Sequence, residues 1–511
     1  MKPNIGDIYC VYVDKLQQYA ACQVTGLQES SSSRSHGLIS IVELDWTGES
    51  LPSETELQAM RPLRCNYLFW DNRLDHSYVD ANVPKNYLFA GTIPPLITEE
   101  TNSYSGWSTG GSVYRQRQWE QIPELLREQF KAASRDDTIV ELEGHQVRRS
   151  TSRIHESILD NLTDMSELSK LPCLTQIQAS RLYDGLLPYL RHHPFVIELQ
   201  LGEHGCTSLD LRDTHLQRLS VYAGGLERLV LNPELSTLSL WGPISPKLQI
   251  IAEDQGRWIH ASFTSKPPLH CGLDRLKGLH LTGITELDLL PVIQSYPMLQ
   301  ELRLWGKPGV IANIGSIAAL PKLKTFSTSD LFGFTPEEFP HPEQLPQLTW
   351  LWMSSLPADA AKSIKARFKK EVANGLDLSI TKPRKPEWLA ENLDNPFRDW
   401  DGREHITSAI AKKAAALYKK TSAEIHALIR RALDESEASE VQAQLNAIVR
   451  QYAEAFNRMD RRQGFIETVE REEIYAVLSE LLNSAAGRLA MAGVSVDMEE
   501  LYAAFDAVRD Y

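Results

Sequence analysis

Three phrases with one rhythm decide the fold: Tyr296-Pro297-Met298-Leu299-Gln300-Glu301-Leu302-Arg303-Leu304-Trp305, Leu320-Pro321-Lys322-Leu323-Lys324-Thr325-Phe326, and Leu345-Pro346-Gln347-Leu348-Thr349-Trp350-Leu351-Trp352. Their prolines are 24 and 25 residues apart. An earlier copy stands at Leu171-Pro172-Cys173-Leu174 with Ile177. In each phrase a short alternating run follows the Pro-x-Leu turn. Alternation sends every second side chain to the same side of a strand, so the apolar members point inward and their neighbours outward. One such unit cannot bury its own leucines, whereas a stack of units buries a continuous core.

A period of 20–29 residues with this pattern is that of a leucine-rich-repeat solenoid, expected here over residues 166–380. Leu186-Leu187-Pro188-Tyr189-Leu190 and Leu289-Leu290-Pro291-Val292-Ile293 read as return helices of two coils. Between them the rhythm shortens. Apolar pairs fall at Leu199/Leu201, Leu209/Leu211, Leu219/Val221, Leu229/Leu231 and Leu238/Leu240, in steps of 10, 10, 10 and 9 residues. Either each strand is followed by a tight turn, or two steps make one two-strand coil of about 20 residues. Gly224-Gly225 and Asn232-Pro233 supply turn chemistry.

The outward positions of the later phrases carry the candidate binding residues: His280, Glu301, Arg303, Trp305, Trp350 and Trp352. They are expected on the concave face. Three tryptophans at ~150–250 Å² each represent on the order of 11–19 kcal/mol of gross burial, part of which association costs remove. The competing reading packs them against the flanking domains.

The chain is expected to be a multidomain α+β protein, with a mainly β module at 1–130, a connector at 131–165, the solenoid, and a helical bundle at 395–511. Strands are expected at Ile5–Val13, Tyr19–Gly26, Leu38–Leu44, Cys65–Trp70 and Tyr87–Gly91, with a loop at Ser30–Ser33 and a closing helix over Trp119–Phe130. Tyr67, Phe69, Trp70, Tyr78 and Tyr87 read as the core of that module, with the lining of a ligand groove as the alternative. Gly106-Trp107-Ser108-Thr109-Gly110-Gly111-Ser112 lacks phosphate-loop spacing and reads as a linker. The Gly6-Asp7-Ile8-Tyr9 strand followed by Tyr19-Ala20-Ala21-Cys22-Gln23-Val24 resembles the bacterial family catalogued as immunity protein 26. That resemblance covers the first quarter of the chain and implies a protein that neutralises a toxin by binding it; no residue role is carried over.

Helical periodicity returns over Thr407–Leu433, Glu440–Met459, Glu470–Leu489 and Met498–Val508, implying a four-helix assembly. The segment from Met459 to Glu470 echoes a calcium loop, but Met459, Arg461 and Gln463 stand where oxygen ligands belong, so it reads as a corner turning at Gly464. The Arg398, Asp399, Asp401, Arg403, Glu404 and His405 side chains of the segment 395–405 offer an acid/base set; the plainer reading is that Phe397 and Trp400 dock this segment on the helices and that it caps the next one. The stretches 395–406 and 456–475 are similar to the tails of bacterial leucine-rich-repeat proteins with a loose gliding-motility or regulator label, which supports the architecture only. The basic run Lys362, Lys365, Arg367, Lys369, Lys370, Lys382, Arg384 and Lys385 offers a contact for RNA, DNA or an acidic partner; the plainer reading is a solvated helix face near the end of the solenoid.

The 511 residues carry a formal net charge of -14, which argues against nucleic acid as main partner. Six cysteines at 10, 22, 65, 173, 206 and 271 form no CxxC pair and fit a reducing cytoplasm. No signal peptide and no membrane-length apolar run is read. No cofactor or metal is expected, and no oligomeric state is fixed. The expected function is a cytoplasmic protein-binding protein, an immunity- or antitoxin-like partner of a toxin. The alternatives are a non-catalytic scaffold linking two partners and an enzyme whose active site is dispersed in sequence.

Overall fold

Stacking of the repeat phrases produces, in the computed structural model, a parallel sheet of eleven strands among the described residues, from Arg153–Ile154 to Asp377–Arg384. The structure describes residues 3–28, 37–392, 394–435, 438–461, 464–491 and 493–511. The Ser30–Ser33 loop and the Gln463 position of the corner lie outside them. The register places equivalent residues of successive coils side by side: Leu199 by Leu219, Leu219 by Leu238, Leu279 by Leu302, Leu302 by Phe326, and Phe326 by Leu351. Their side chains belong to one core that runs from Leu142 to Ile380.

The 10-residue step is resolved in favour of the two-strand coil. Glu198–Leu201, Arg218–Tyr222, Thr237–Trp241 and His260–Thr264 lie in the main sheet, while Ser208–Asp210, Arg228–Val230 and Gln249–Ile251 form a second parallel sheet. Leu209, Leu229 and Ile250 are buried from that side. A strand advances ~3.3 Å per residue against 1.5 Å for a helix, so an extended return closes a coil with fewer residues. Buried Asn232 ties one turn to the coil before it by donating to the Leu216 carbonyl at 2.8 Å. Elsewhere the return is helical, at Leu186–His192, Leu289–Ser295 and Ala358–Phe368. Asp288 caps the second of these by accepting from the Leu290 N–H at 3.0 Å.

The sheet begins at Arg153, inside the segment expected as a connector. The reason is that the first coil needs a cover. The hairpin Ile139–Leu142/His145–Arg148 provides it, with Leu142 fully buried in the solenoid core.

The N-terminal module is a five-stranded antiparallel sheet in the order His76–Asp80, Leu38–Gly48, Gln18–Gln28, Asp7–Val13, Tyr87–Thr92. The strand expected over Cys65–Trp70 is limited to Arg64–Cys65, because the chain turns at Leu68 with a φ of 45°. The helix expected over Trp119–Phe130 is broken into Gly111–Gln121 and Glu124–Ala133. Pro123 explains this: it has no N–H to donate and drives Ile122 to an extended ψ of 137°. The five aromatics expected as one core are dispersed. Tyr67 and Tyr87 are buried in separate clusters, and Phe69 is 46% exposed. The module is not separate from the solenoid: Met1–Pro383 is one compact unit. Trp119 and Phe130 pack on Phe195 of the solenoid with ring centroids 5.5 and 4.8 Å apart.

The segment 106–112, expected as a linker, is structural. Gly110, at a φ of 96°, starts the Gly111–Gln121 helix, and buried Glu43 accepts from the Val113 N–H at 2.8 Å. Burial pushes the Glu43 carboxyl up to about 7, opposed by the Val113 bond and reinforced by Asp75. The folded state therefore holds this proton more tightly than the unfolded chain, and stability is lost as pH rises from the ordinary carboxyl range through 7. Glu43→Gln does not ionise. It is expected to gain about 2–3 kcal/mol over the parent between pH 5 and pH 8 in denaturant melts; a difference independent of pH refutes this.

Residues Arg384–Tyr511 form the second unit. Its four main helices are Ser408–Glu435, Ala438–Asp460, Thr468–Met491 and Met498–Asp506, as the periodicity predicts. Phe397 and Trp400 are fully buried in its core against Phe456. Among the described residues no helix is long and apolar enough to cross a membrane. Of the basic run, Lys362, Lys365, Lys369, Lys370, Lys382 and Lys385 are exposed as expected, whereas Arg367 donates to the Phe339 carbonyl at 2.5 Å and Arg384 is buried, paired with Asp401 at 2.6 Å.

Candidate protein-binding face

Residues that flank the inward leucines rise from the opposite face of the parallel sheet, and the register aligns them in rows. His280 stands beside Arg303, then Ser327, then Trp352. Glu301 stands beside Thr325 and then Trp350. Trp305 stands beside Ser329 and then Ser354. All six candidate residues are thus brought to one face. The strand between the two tryptophan-bearing strands presents only Thr325, Ser327 and Ser329 outward. Adjacent strands are ~4.8 Å apart, so small hydroxyl side chains floor a trough roughly 10 Å across, walled by indole rings.

The walls are organised by local contacts. Trp350 and Trp352 pack edge to face at 4.6 Å, and the Trp352 indole donates to Asp377 Oδ1 at 3.1 Å. The Trp305 ring stands at 80° to His280, centroids 4.2 Å apart. Trp305 and Trp352 remain 42% and 43% exposed, while Trp350 is half-buried. Each exposed ring has one edge held and one face free.

The charged members are paired beside the rings. Arg303 Nε lies 2.6 Å from Glu301, and His260 stands 3.7 Å from the same carboxylate. Burial, with Arg303 adding to it, holds the His280 imidazole below its ordinary pKa, so it is neutral near pH 7. Its Nε2 is buried with no hydrogen-bond partner among the described residues. Glycine at 278 is required by this packing: a Cβ there meets the His260 ring at 2.2 Å.

A second aromatic pair on the same face is not among the residues expected from the repeat phrases. Tyr222 and Trp241 pack at 4.9 Å, with Trp241 37% exposed. The sequence does carry the signal, since Trp241 follows Leu240 as Trp305 follows Leu304. The Tyr222 ring lies between Gly224 and Gly242, where a Cβ on either meets it at 2.3 Å.

The candidate acid/base set at 398–405 has a structural occupation. Arg403 and His405 both engage Glu470, which is 2% exposed, and the Trp400 indole donates to Glu473 at 2.7 Å. Among the described residues no group of three or more His, Cys, Asp or Glu side chains is arranged to hold a metal ion.

No family model matches the chain. No curated protein matches it. Among solved structures, internalin C2 from Listeria monocytogenes str. 4b F2365 is similar at 17% identity over 42% of this chain and 83% of that chain, with a TM-score of 0.17.

Proposed function

We propose that this chain is a non-catalytic binding protein that seats a polypeptide partner on the open face of its parallel sheet. The observation that carries the reading is the trough between Trp305 and Trp350/Trp352, with two half-exposed indoles fixed in orientation at its walls. Tryptophan and arginine are enriched among the residues that dominate the energetics of protein interfaces. Serine and threonine at the floor let a partner backbone approach closely.

The finer reading is an immunity- or antitoxin-like protein of the cytoplasm that silences a toxin by occupying it. It is supported by the Gly6-Asp7-Ile8-Tyr9 resemblance, by a mode of action that needs no catalytic group, and by six free cysteines, five of them buried. A scaffold that joins two partners is the second reading, favoured by the two separately cored units. Affinity capture of the full chain from its native host tests both. One stoichiometric protein that is retained after removal of residues 384–511 supports the inhibitor. Two partners, one lost with that segment, support the scaffold. Absence of any stoichiometric protein defeats both.

A further inference from the structure

A cleft runs along the seam where the two helices of the N-terminal module meet the starting edge of the parallel strands. One part, about 690 Å³, has an apolar wall of Tyr67, Phe69, Trp119, Ile122, Leu126 and Phe195. The other, about 380 Å³, is lined by Lys15, Lys277, Lys324 and His260. Arg115, Gln118, Gln217 and Glu234 line both parts, so the two adjoin. Each part by itself falls in the ~300–1,000 Å³ range of ligand sites, and the mixture of apolar wall and few polar groups is typical of them.

The cationic end is built by backbone geometry. Lys277 and Lys324 each directly precede a sheet strand, and their N–H groups are held by the Ile259 and Gln300 carbonyls at 3.1 and 2.8 Å. Their side chains therefore leave the sheet at its edge. Lys15 comes from the turn between the first two strands of the module, with its Nζ 5.5 Å from the centre of the Tyr114 ring. Among the described residues, no carboxylate lies within 4.0 Å of any of the three lysines. Three of the carboxylates around them are directed elsewhere: Asp14 to Arg257 at 3.8 Å, Glu234 to His215 at 3.4 Å and Glu301 to Arg303 at 2.6 Å; the charge of Glu253 also acts on Lys15. Burial, and then the charge of Lys277, holds the Lys15 ammonium below its ordinary range; burial does the same to Lys277, opposed by the charge of Asp14 and reinforced by that of Lys324. Gathering like charges in a partly desolvated wall is unfavourable, and an anion seated among them relieves that cost.

We infer that this cleft binds a small organic anion, its aromatic or branched apolar body against Phe69, Ile122, Leu126 and Phe195 and its acidic group toward Lys15, Lys277 and Lys324. Arg115 stands where the two halves of such a ligand join. The site is distinct from the tryptophan trough, so the inference does not depend on the partner proposed above.

Two fluorescent probes with one carbon skeleton test it on the full chain: 8-anilinonaphthalene-1-sulfonate, and neutral N-phenyl-1-naphthylamine, which lacks the sulfonate. The sulfonate is expected to bind saturably at one site, about tenfold tighter than the neutral probe. The Lys15→Gln/Lys277→Gln pair is expected to erase that tenfold preference and leave the neutral probe unchanged. Phe69→Ser, at an exposed position, is expected to weaken both probes severalfold. Melting temperature and far-UV circular dichroism of each variant check folding. Absence of saturable binding, equal affinity for the two probes, or a preference that survives in a folded Lys15→Gln/Lys277→Gln protein overturns the site. So does loss of sulfonate binding in Trp305→Ala/Trp352→Ala alone, which would move the probe to the trough.

Discussion

Arg403→Ala is expected to destabilise the C-terminal helical unit by about 3 kcal/mol at pH 7, the cost of leaving a buried charge without its partner. Glu470 sits in the first turn of the Thr468–Met491 helix at 2% exposure and accepts from the Glu467 N–H at 3.2 Å. Arg403 bridges it to Glu473, which lies 2.6 Å from the guanidinium, and His405 approaches Glu470 at 3.2 Å. Burial alone drives the Glu470 carboxyl upward, but Arg403 and the helix N–H groups outweigh it, so its pKa lies below the ordinary carboxylate range. A depressed folded pKa contributes stability that is present above the unfolded value and lost as pH falls through the folded one. Without Arg403 the balance shifts toward burial and the carboxyl pKa rises. The gap between parent and variant should therefore be largest at neutral pH and shrink toward pH 4. Arg403→Met with Glu470→Met removes both charges and is expected to recover most of the loss. Hydrogen exchange of the Thr468–Met491 helix reads these effects. A penalty below about 1 kcal/mol at pH 7, or one that grows on acidification, rules out the charge account.

The triple substitution Trp305→Ala, Trp350→Ala, Trp352→Ala is expected to weaken partner binding by about 100- to 1,000-fold. Trp305 and Trp352 are 42% and 43% exposed, so less than half of each ring remains to be buried. Together this is roughly 200 Å², on the order of 5 kcal/mol at ~25 cal/mol/Å², before ordering costs. That is well below the gross figure for three free tryptophans, because Trp350 is already half-buried and acts mainly by holding Trp352. Trp350→Ala alone should thus cost less than Trp352→Ala. The rings lie outside the solenoid core, and the fold should persist, as circular dichroism would show. Titration calorimetry against the captured partner decides the matter; affinity unchanged in a folded triple variant removes the open face from the binding account.

The Leu-x-Leu spacing dictates which side chains face inward, because alternation in a strand is a local property legible in the sequence itself. For the same reason it places His280, Glu301, Arg303, Trp305, Trp350 and Trp352 outward. The four helices of the second unit are likewise readable from a 3.6-residue period that needs no long-range partner to be seen. The rest depends on which segments meet. The 10-residue step is compatible with a tight turn or a two-strand coil, and only lateral pairing of Ser208–Asp210 with Arg228–Val230 distinguishes them. From sequence the N-terminal module reads as separate, because the apolar contacts of Trp119 and Phe130 with Phe195 join residues whose sequence distance carries no periodic signal. The cleft is the extreme case. Lys15 lies in a turn, Phe69 in a loop, and Lys277 and Lys324 in different coils, so nothing local marks them as a group. Local repetition thus specifies the solenoid and its outward face. The site at its edge arises only because stacking the coils brings distant lysines into line and a buried aromatic contact holds the N-terminal module over them.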